Sequence, residues 1–257
     1  MASAAGKRAL GLMAAPTAAA LAASWLLLRW GTRWGSTAEE RAMTLPGDAY
    51  LDDGPSSRVV MTRAITVAAA PETVWPWIAQ LGRGAGFYSI DRFDNGNRVS
   101  ARHLVSWIPA PAVGDATAIG YLRRIEPGVG LTWWVPGDRF LGAWTRLVID
   151  VHVRPFGNGS RVIARVSGDA AGVTSRPVMV LFQAIDSVMA CRQLLGIRER
   201  VEAPDPLSVD DETGERDQYQ LYEIIYASGG SAGVAGKEKG AIWRQTAIDD
   251  APSAYSS

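Results

Sequence analysis

The chain has 257 residues, 47% of them hydrophobic, which is enough for one large domain with a full core or for two small ones. Its 26 Lys and Arg balance 26 Asp and Glu, so no net field favours nucleic acid or an anionic partner. A single cysteine, Cys191, excludes an intrachain disulfide, and one cysteine with two histidines leaves too few ligands for a zinc site.

Lys7 and Arg8 precede an uncharged stretch from Ala9 to Leu28 that ends at Arg29, about the length of a bilayer-crossing helix. Trp25, Trp30 and Trp34 cluster at its carboxyl end, where amphipathic rings favour the headgroup zone. Residues 1–33 are therefore expected to form an amino-terminal transmembrane anchor of a single-pass membrane protein. Arginines on both sides leave its orientation open. The many alanines and Pro16 lower the insertion energy, and the basic flank also suits a signal peptide, which would make the protein secreted. Against cleavage, Trp25 to Leu28 runs into Arg29 with no small-residue site after it. A soluble helix is the third reading.

Residues 34–57 are polar, with turn signals at Leu45-Pro46-Gly47-Asp48 and Asp52-Asp53-Gly54-Pro55, and read as a connector packing on the domain. Arg58 to Ala68 reads as a strand with Val59, Met61, Ile65 and Val67 on one side. Pro71 suits a first helical position, and Glu72 to Leu81 follows as a short helix holding Pro76. Gly82 to Gly86 lacks the Lys-Ser/Thr ending and the buried strand of a phosphate loop and reads as a turn, so no cofactor motif is present. Phe87 to Val113 reads as short helices and loops.

Strand signals then repeat. Ala116 to Ile125 and Leu131 to Val135 are separated by Glu126-Pro127-Gly128, and Pro136-Gly137-Asp138 reads as the next turn. Gly142 to Arg154 alternates, with Leu147, Ile149, Val151 and Val153 opposite Arg146, Asp150, His152 and Arg154. Gly157-Asn158-Gly159 marks a hairpin, and Ser160 to Gly168 returns with Val162, Ala164 and Val166 opposite Arg161 and Arg165. This predicts an antiparallel sheet with one wet face and one covered face. Pro177 to Glu202 reads as a long covering helix with the apolar stripe Val178, Leu181, Phe182, Ile185, Val188, Met189 and Leu195. Residues 203–257, rich in acids and then in Gly, Ser and Ala, read as a disordered tail with one apolar island, Tyr219 to Tyr226.

Several blocks in this order carry a family resemblance. They are Leu45-Pro46-Gly47-Asp48, Thr62 to Val67 with Pro71 to Trp77, Gly86-Phe87-Tyr88-Ser89-Ile90-Asp91 with Asp94-Asn95, and Leu194 to Arg198. Over residues 34–202 the chain resembles bacterial SRPBCC (START/polyketide-cyclase-like) proteins of unassigned activity. The resemblance implies an α+β START-like helix-grip fold over residues 58–202: a curved antiparallel sheet around a long carboxyl-terminal helix, with a cavity between them. Relatives in that superfamily bind lipids, hormones or polyketides, and a few catalyse cyclisation or hydrolysis.

The expected function is non-catalytic binding of a small hydrophobic ligand beside the membrane. The alternatives are a cyclase- or dehydratase-like enzyme in the same cavity and an interaction module with a filled core. Tyr88 offers an apolar ring with one polar tip. Tyr121, Arg123 and Trp133 fall on strand parities that line the cavity if they face inward, and Phe182 lies on the helix stripe. Asp91 is three residues from Asp94, a spacing that allows either shared acid–base work or a cap with a loop-fixing bond. His103, beside Arg102, reads as a surface or capping residue, His152 as a solvated one, and Cys191 as a small buried hydrophobe. No catalytic residue and no metal ligand is assigned. The enzyme alternative requires Tyr88, Asp91, His103 or Arg123 to converge on one point.

Overall fold

The computed structural model describes residues 25–26, 28–51, 57–117, 120–140 and 143–210. The expected membrane segment before residue 25, the island Tyr219 to Tyr226 and the rest of the tail after residue 210 lie outside the described residues.

The elements are α1 (Ala38–Ala42), a 3-10 helix (Pro46–Leu51), β1 (Ser57–Val67), α2 (Pro71–Gln80), α3 (Asp91–Asp94), β2 (Leu104–Val105), β3 (Ala116–Thr117), β4 (Gly120–Glu126), β5 (Gly130–Phe140), β6 (Ala143–Phe156), β7 (Gly159–Ala171), α4 (Ser175–Val201) and β8 (Val209–Asp210). Six strands form one sheet in the order β1-β7-β6-β5-β4-β3, antiparallel throughout, and β2 pairs with β8 in a separate parallel ladder. The β6–β7 hairpin turns through Gly157 and Asn158, with Gly157 in the left-handed region that a tight turn needs. Pro136-Gly137-Asp138 does not end a strand. The ladder slips between Val135 and Asp138, so β5 runs through a bulge where proline's missing N–H leaves no bond unmade.

Inner-face positions stack in register: Leu122 on Trp133, Trp133 on Ile149, Ile149 on Val166, and Val166 on Met61. The main core joins this face to Val74, Trp77, Ile78 and Leu81 around α2, and to Leu194, Ile197 and Val201 of α4. A sheet gripping a long terminal helix, with α2 and the insert closing one end, is the helix-grip arrangement that the resemblance implies.

The face expected to be wet is covered. Ser36 Oγ donates to Thr62 O, and Ala64 N donates to Trp34 O, so the connector first shields the free edge of β1. It then runs under the sheet. The Glu40 carboxylate takes two bonds from Arg161, at 2.7 and 2.8 Å, and one from Arg154 at 3.0 Å. Arg165 reaches Asp48 and the carbonyls of Met43 and Glu40. Asp150 accepts from Gly47 N and Thr132 Oγ1. His152, expected to be solvated, is half-buried with Nε2 3.7 Å from Asp150. Alternation alone reads polar as wet. Here Arg161 and Arg165 are buried because the connector brings Glu40 and Asp48 to them, whereas Arg154 stays exposed at the rim.

Glu40 also closes the capping box of α1 with Thr37. Bonds from Arg161 hold its carboxyl at about 2, against an ordinary 4.5.

α4 departs from the expected stripe as well. Val178, Met179, Ser187, Ala190, Leu194 and Ile197 face the protein, whereas Leu181, Ile185 and Val188 are exposed. Within the expected tail, residues 203–210 run back along the domain, where Trp77 Nε1 donates to Pro206 O at 2.9 Å and β8 joins β2.

Candidate ligand site

The grip is sealed at one end. Tyr88 is 1% exposed and stands edge-on to Trp77, with ring centroids 5.7 Å apart, and its hydroxyl donates to Trp77 O at 3.3 Å. Its backbone has φ 59°, a conformation that costs a non-glycine residue energy and persists where surroundings fix it. What fixes it is α4. Gly196 passes so close that a Cβ there would collide with the Tyr88 carbonyl oxygen. Arg200 stacks 4.3 Å from the centre of the Tyr88 ring while Nε donates to Ala101 O at 2.7 Å. Burial lowers the affinity of that guanidinium for its proton, and Tyr88 opposes the shift.

Asp91 joins the same cluster through Ser100, whose hydroxyl donates to Asp91 Oδ1 and accepts from Tyr88 N. Asp94 is bonded by Ser89 Oγ. Burial raises its carboxyl above the usual range, and the nearby Asp91 adds to the effect. These groups tie the insert to itself and to α4; the expected loop-fixing bond is present, with Asn95 Nδ2 donating to Arg98 O at 2.7 Å, whereas α3 follows Ile90 with no side-chain cap.

The other end is less closed. On the inner face, Val135, Leu147 and Ile149 are only half-buried, although Trp133, Leu131 and Val151 beside them are sealed. A second, smaller core of Ala170, Val178 and Met179, with Val59 and Phe182 against it, holds the amino-terminal half of α4 to β1 and β7. Of the half-buried residues, Ile149 packs against the main core and Leu147 lies beside Gly168, next to Met179 of the smaller one. Trp133 stands opposite Ile149 across the β5–β6 ladder. It is 1% exposed, and its Nε1–H has no acceptor among the described residues. A buried donor left unmade costs about 1–3 kcal/mol, which an acceptor supplied from outside would recover.

The six residues singled out from sequence therefore separate. Trp133 and Phe182 face the inner side, and Tyr88 and Asp91 meet at the closed end. Tyr121 and Arg123 are on the opposite face. Tyr121 pairs with Trp134, which packs edge-on against Tyr50 of the 3-10 helix, and Arg123 lies 5.3 Å over the same Tyr50 ring. The cause is a bulge between Leu122 and Arg124, which puts Leu122 and Ile125 inward and breaks the parity that linked Tyr121 to Ile125. His103 is exposed and meets Ser208 at 2.7 Å. The convergence of Tyr88, Asp91, His103 and Arg123 that an acid–base site requires is not present.

Sequence reasoning missed Val135, Leu147 and Ile149 as a patch, because half-burial on an apolar face leaves no mark in the residue types. It also missed Arg63, which is fully buried on the inner face of β1. Arg63 forms a 2.7 Å ion pair with Asp186 of α4, and its Nε donates to Gly31 O at 2.7 Å. A signal existed: Arg63 shares parity with Val59, Met61, Ile65 and Val67, and a charge in an apolar row needs a buried partner.

No protein-family model matches the chain, and no curated protein is similar to it. Solved structures similar to it include Ara h 8.0201, at 10% identity and TM-score 0.35, covering 56% of this chain and 98% of that one. A protein from Chromobacterium violaceum matches at 14% identity and TM-score 0.34, covering 54% and 96%. An AHSA1-like protein from Rhizobium etli matches at 14% identity and TM-score 0.33, covering 62% and 94%. At such identities and TM-scores these proteins lend no activity, ligand or partner to this chain.

Proposed function

We propose that the protein binds a small hydrophobic ligand, lipid- or polyketide-like in class, between the sheet and the amino-terminal half of α4, without chemistry, while residues 9–28 tether it to a membrane. The observation that carries this reading is the half-buried patch of Val135, Leu147 and Ile149 beside the unpartnered indole N–H of Trp133. An apolar ligand covering the patch gains about 25 cal/mol for each Å² it removes from water. One carbonyl or hydroxyl oxygen on the ligand satisfies Trp133 and fixes its orientation. The tether places the patch where such ligands concentrate. It is supported by the uncharged run Ala9 to Leu28 and by Trp25 and Trp30, which are exposed at its carboxyl end.

The test is thermal unfolding of the purified full-length chain with a panel of fatty acids, sterols and aromatic polyketides. Binding of the folded state raises the midpoint with the logarithm of one plus ligand concentration over Kd. Trp133→Phe keeps an aromatic side chain, smaller than the indole by one fused ring, and removes the donor. It should weaken oxygen-bearing ligands about tenfold more than hydrocarbons of equal size, since both lose the same ring contact and only the former lose the hydrogen bond. No midpoint shift with any member of the panel would refute the binding reading.

A further inference from the structure

We propose that the outward face of the amino-terminal half of α4, with Trp25, Leu26 and Trp30, docks on the surface of an anionic lipid bilayer; the proposal rests on the tether reading above. On that face Pro177, Val180, Leu181, Ala184, Ile185 and Val188 are exposed. From Pro177 to Cys191 the only charged residue is Asp186, and it points inward to Arg63. Beyond that point the same face carries the Arg192–Glu199 ion pair, as a solvated helix surface does. The bare half is therefore a contiguous apolar surface that water does not favour.

The chain's own path supplies the occupant. Residues 25, 26 and 28–31 are helical and lie along the same half of α4. Arg63 Nε holds Gly31 O, a Cβ on Gly31 would stand 2.6 Å from Ser187 Cβ, and Trp25, Leu28 and Arg29 share a shallow pocket with Gln183. Running back from residue 31 to residue 25 thus leads past Ser187 and Gln183 towards the start of α4. Trp25, which follows the uncharged run of residues 9–24 in sequence, stands on this flank of α4. Trp25 and Trp30 are 55% and 62% exposed, and such rings favour the interface between headgroups and acyl chains. Exposed Arg29, Arg33 and Arg176 add positive charge facing anionic headgroups.

α4 is long and apolar enough to cross a membrane by length and composition. It cannot cross while its other face is bound to the sheet through Arg63–Asp186 and pressed on Tyr88 at Gly196. It lies on the surface instead.

The test uses the full-length chain with Cys191→Ser and a nitroxide at Val188→Cys or, as control, at Glu199→Cys. Collisions with oxygen and with a water-soluble nickel complex are measured in buffer and on vesicles of phosphatidylcholine with phosphatidylglycerol. On vesicles, nickel accessibility should be about threefold lower at 188 than at 199, with oxygen accessibility higher. In buffer the two positions should be alike. If the protein floats with the vesicles but 188 stays as open to nickel as 199, docking is refuted and the tether stands. If it does not float, both are refuted. If 188 is already shielded in buffer, the face is covered by the chain itself or by a second copy, and docking is refuted.

Discussion

The two faces of the sheet are both covered, by opposite means. The outer face is polar, and the connector covers it with Glu40 and Asp48 set against Arg161, Arg154 and Arg165. The inner face is apolar apart from Arg63, and α2, the insert and the carboxyl-terminal half of α4 bury one end of it more completely than the other. An interface of buried ion pairs fails if one partner is lost, because the other charge is stranded. An apolar interface tolerates a gap, and a gap next to an unpaired donor is usable for binding.

The largest effect should come from the outer face. Glu40→Ala strands Arg161 and opens the capping box of α1, and should cost about 3–5 kcal/mol in denaturant unfolding. The same carboxylate governs the acid limb. Its folded pKa of about 2 lies below the ordinary 4.5, so its contribution is complete above about pH 4.5 and is lost as pH falls towards 2. That loss should amount to about 3 kcal/mol and be missing in Glu40→Gln. If Glu40→Ala unfolds like the parent, the connector is not a structural part of the domain.

The inner face should be uneven. Leu131→Ala, in the sealed core, should cost about 2–5 kcal/mol, and Leu147→Ala, in the half-buried patch, about 1 kcal/mol. Equal costs would mean that the two ends are packed alike. Gly196→Ala should cost about 1–3 kcal/mol, because the added methyl pushes α4 off the Tyr88 carbonyl. Its signature is local: faster amide exchange in the insert around Tyr88 to Ser100, with the β6–β7 hairpin unchanged.

Much of the fold was legible in the sequence. Period-two alternation located β1, β6 and β7, the Gly157-Asn158 turn set their hairpin, and the proline-free run after Pro177 marked α4. What failed had one common cause, the influence of a distant partner. Arg161 and Arg165 read as solvated because their acids lie more than a hundred residues away. Leu181, Ile185 and Val188 read as core because periodicity cannot say which of two apolar faces meets the sheet. Tyr121 and Arg123 were misplaced by one bulge, which reverses every parity beyond it. At the candidate site, Trp133 and Phe182 were readable as inward apolar residues. The half-burial of Val135, Leu147 and Ile149 beside them was not, because it depends on how α4 packs across the sheet and leaves no mark in the residue types.

The most direct test of the proposed hollow is to fill it. Ile149→Phe adds a ring where the inner face is half-buried. An open hollow predicts an unchanged or higher unfolding midpoint, together with loss of the midpoint shift produced by apolar ligands. A loss of about 1–3 kcal/mol from overpacking, with ligand response unaltered, would contradict it.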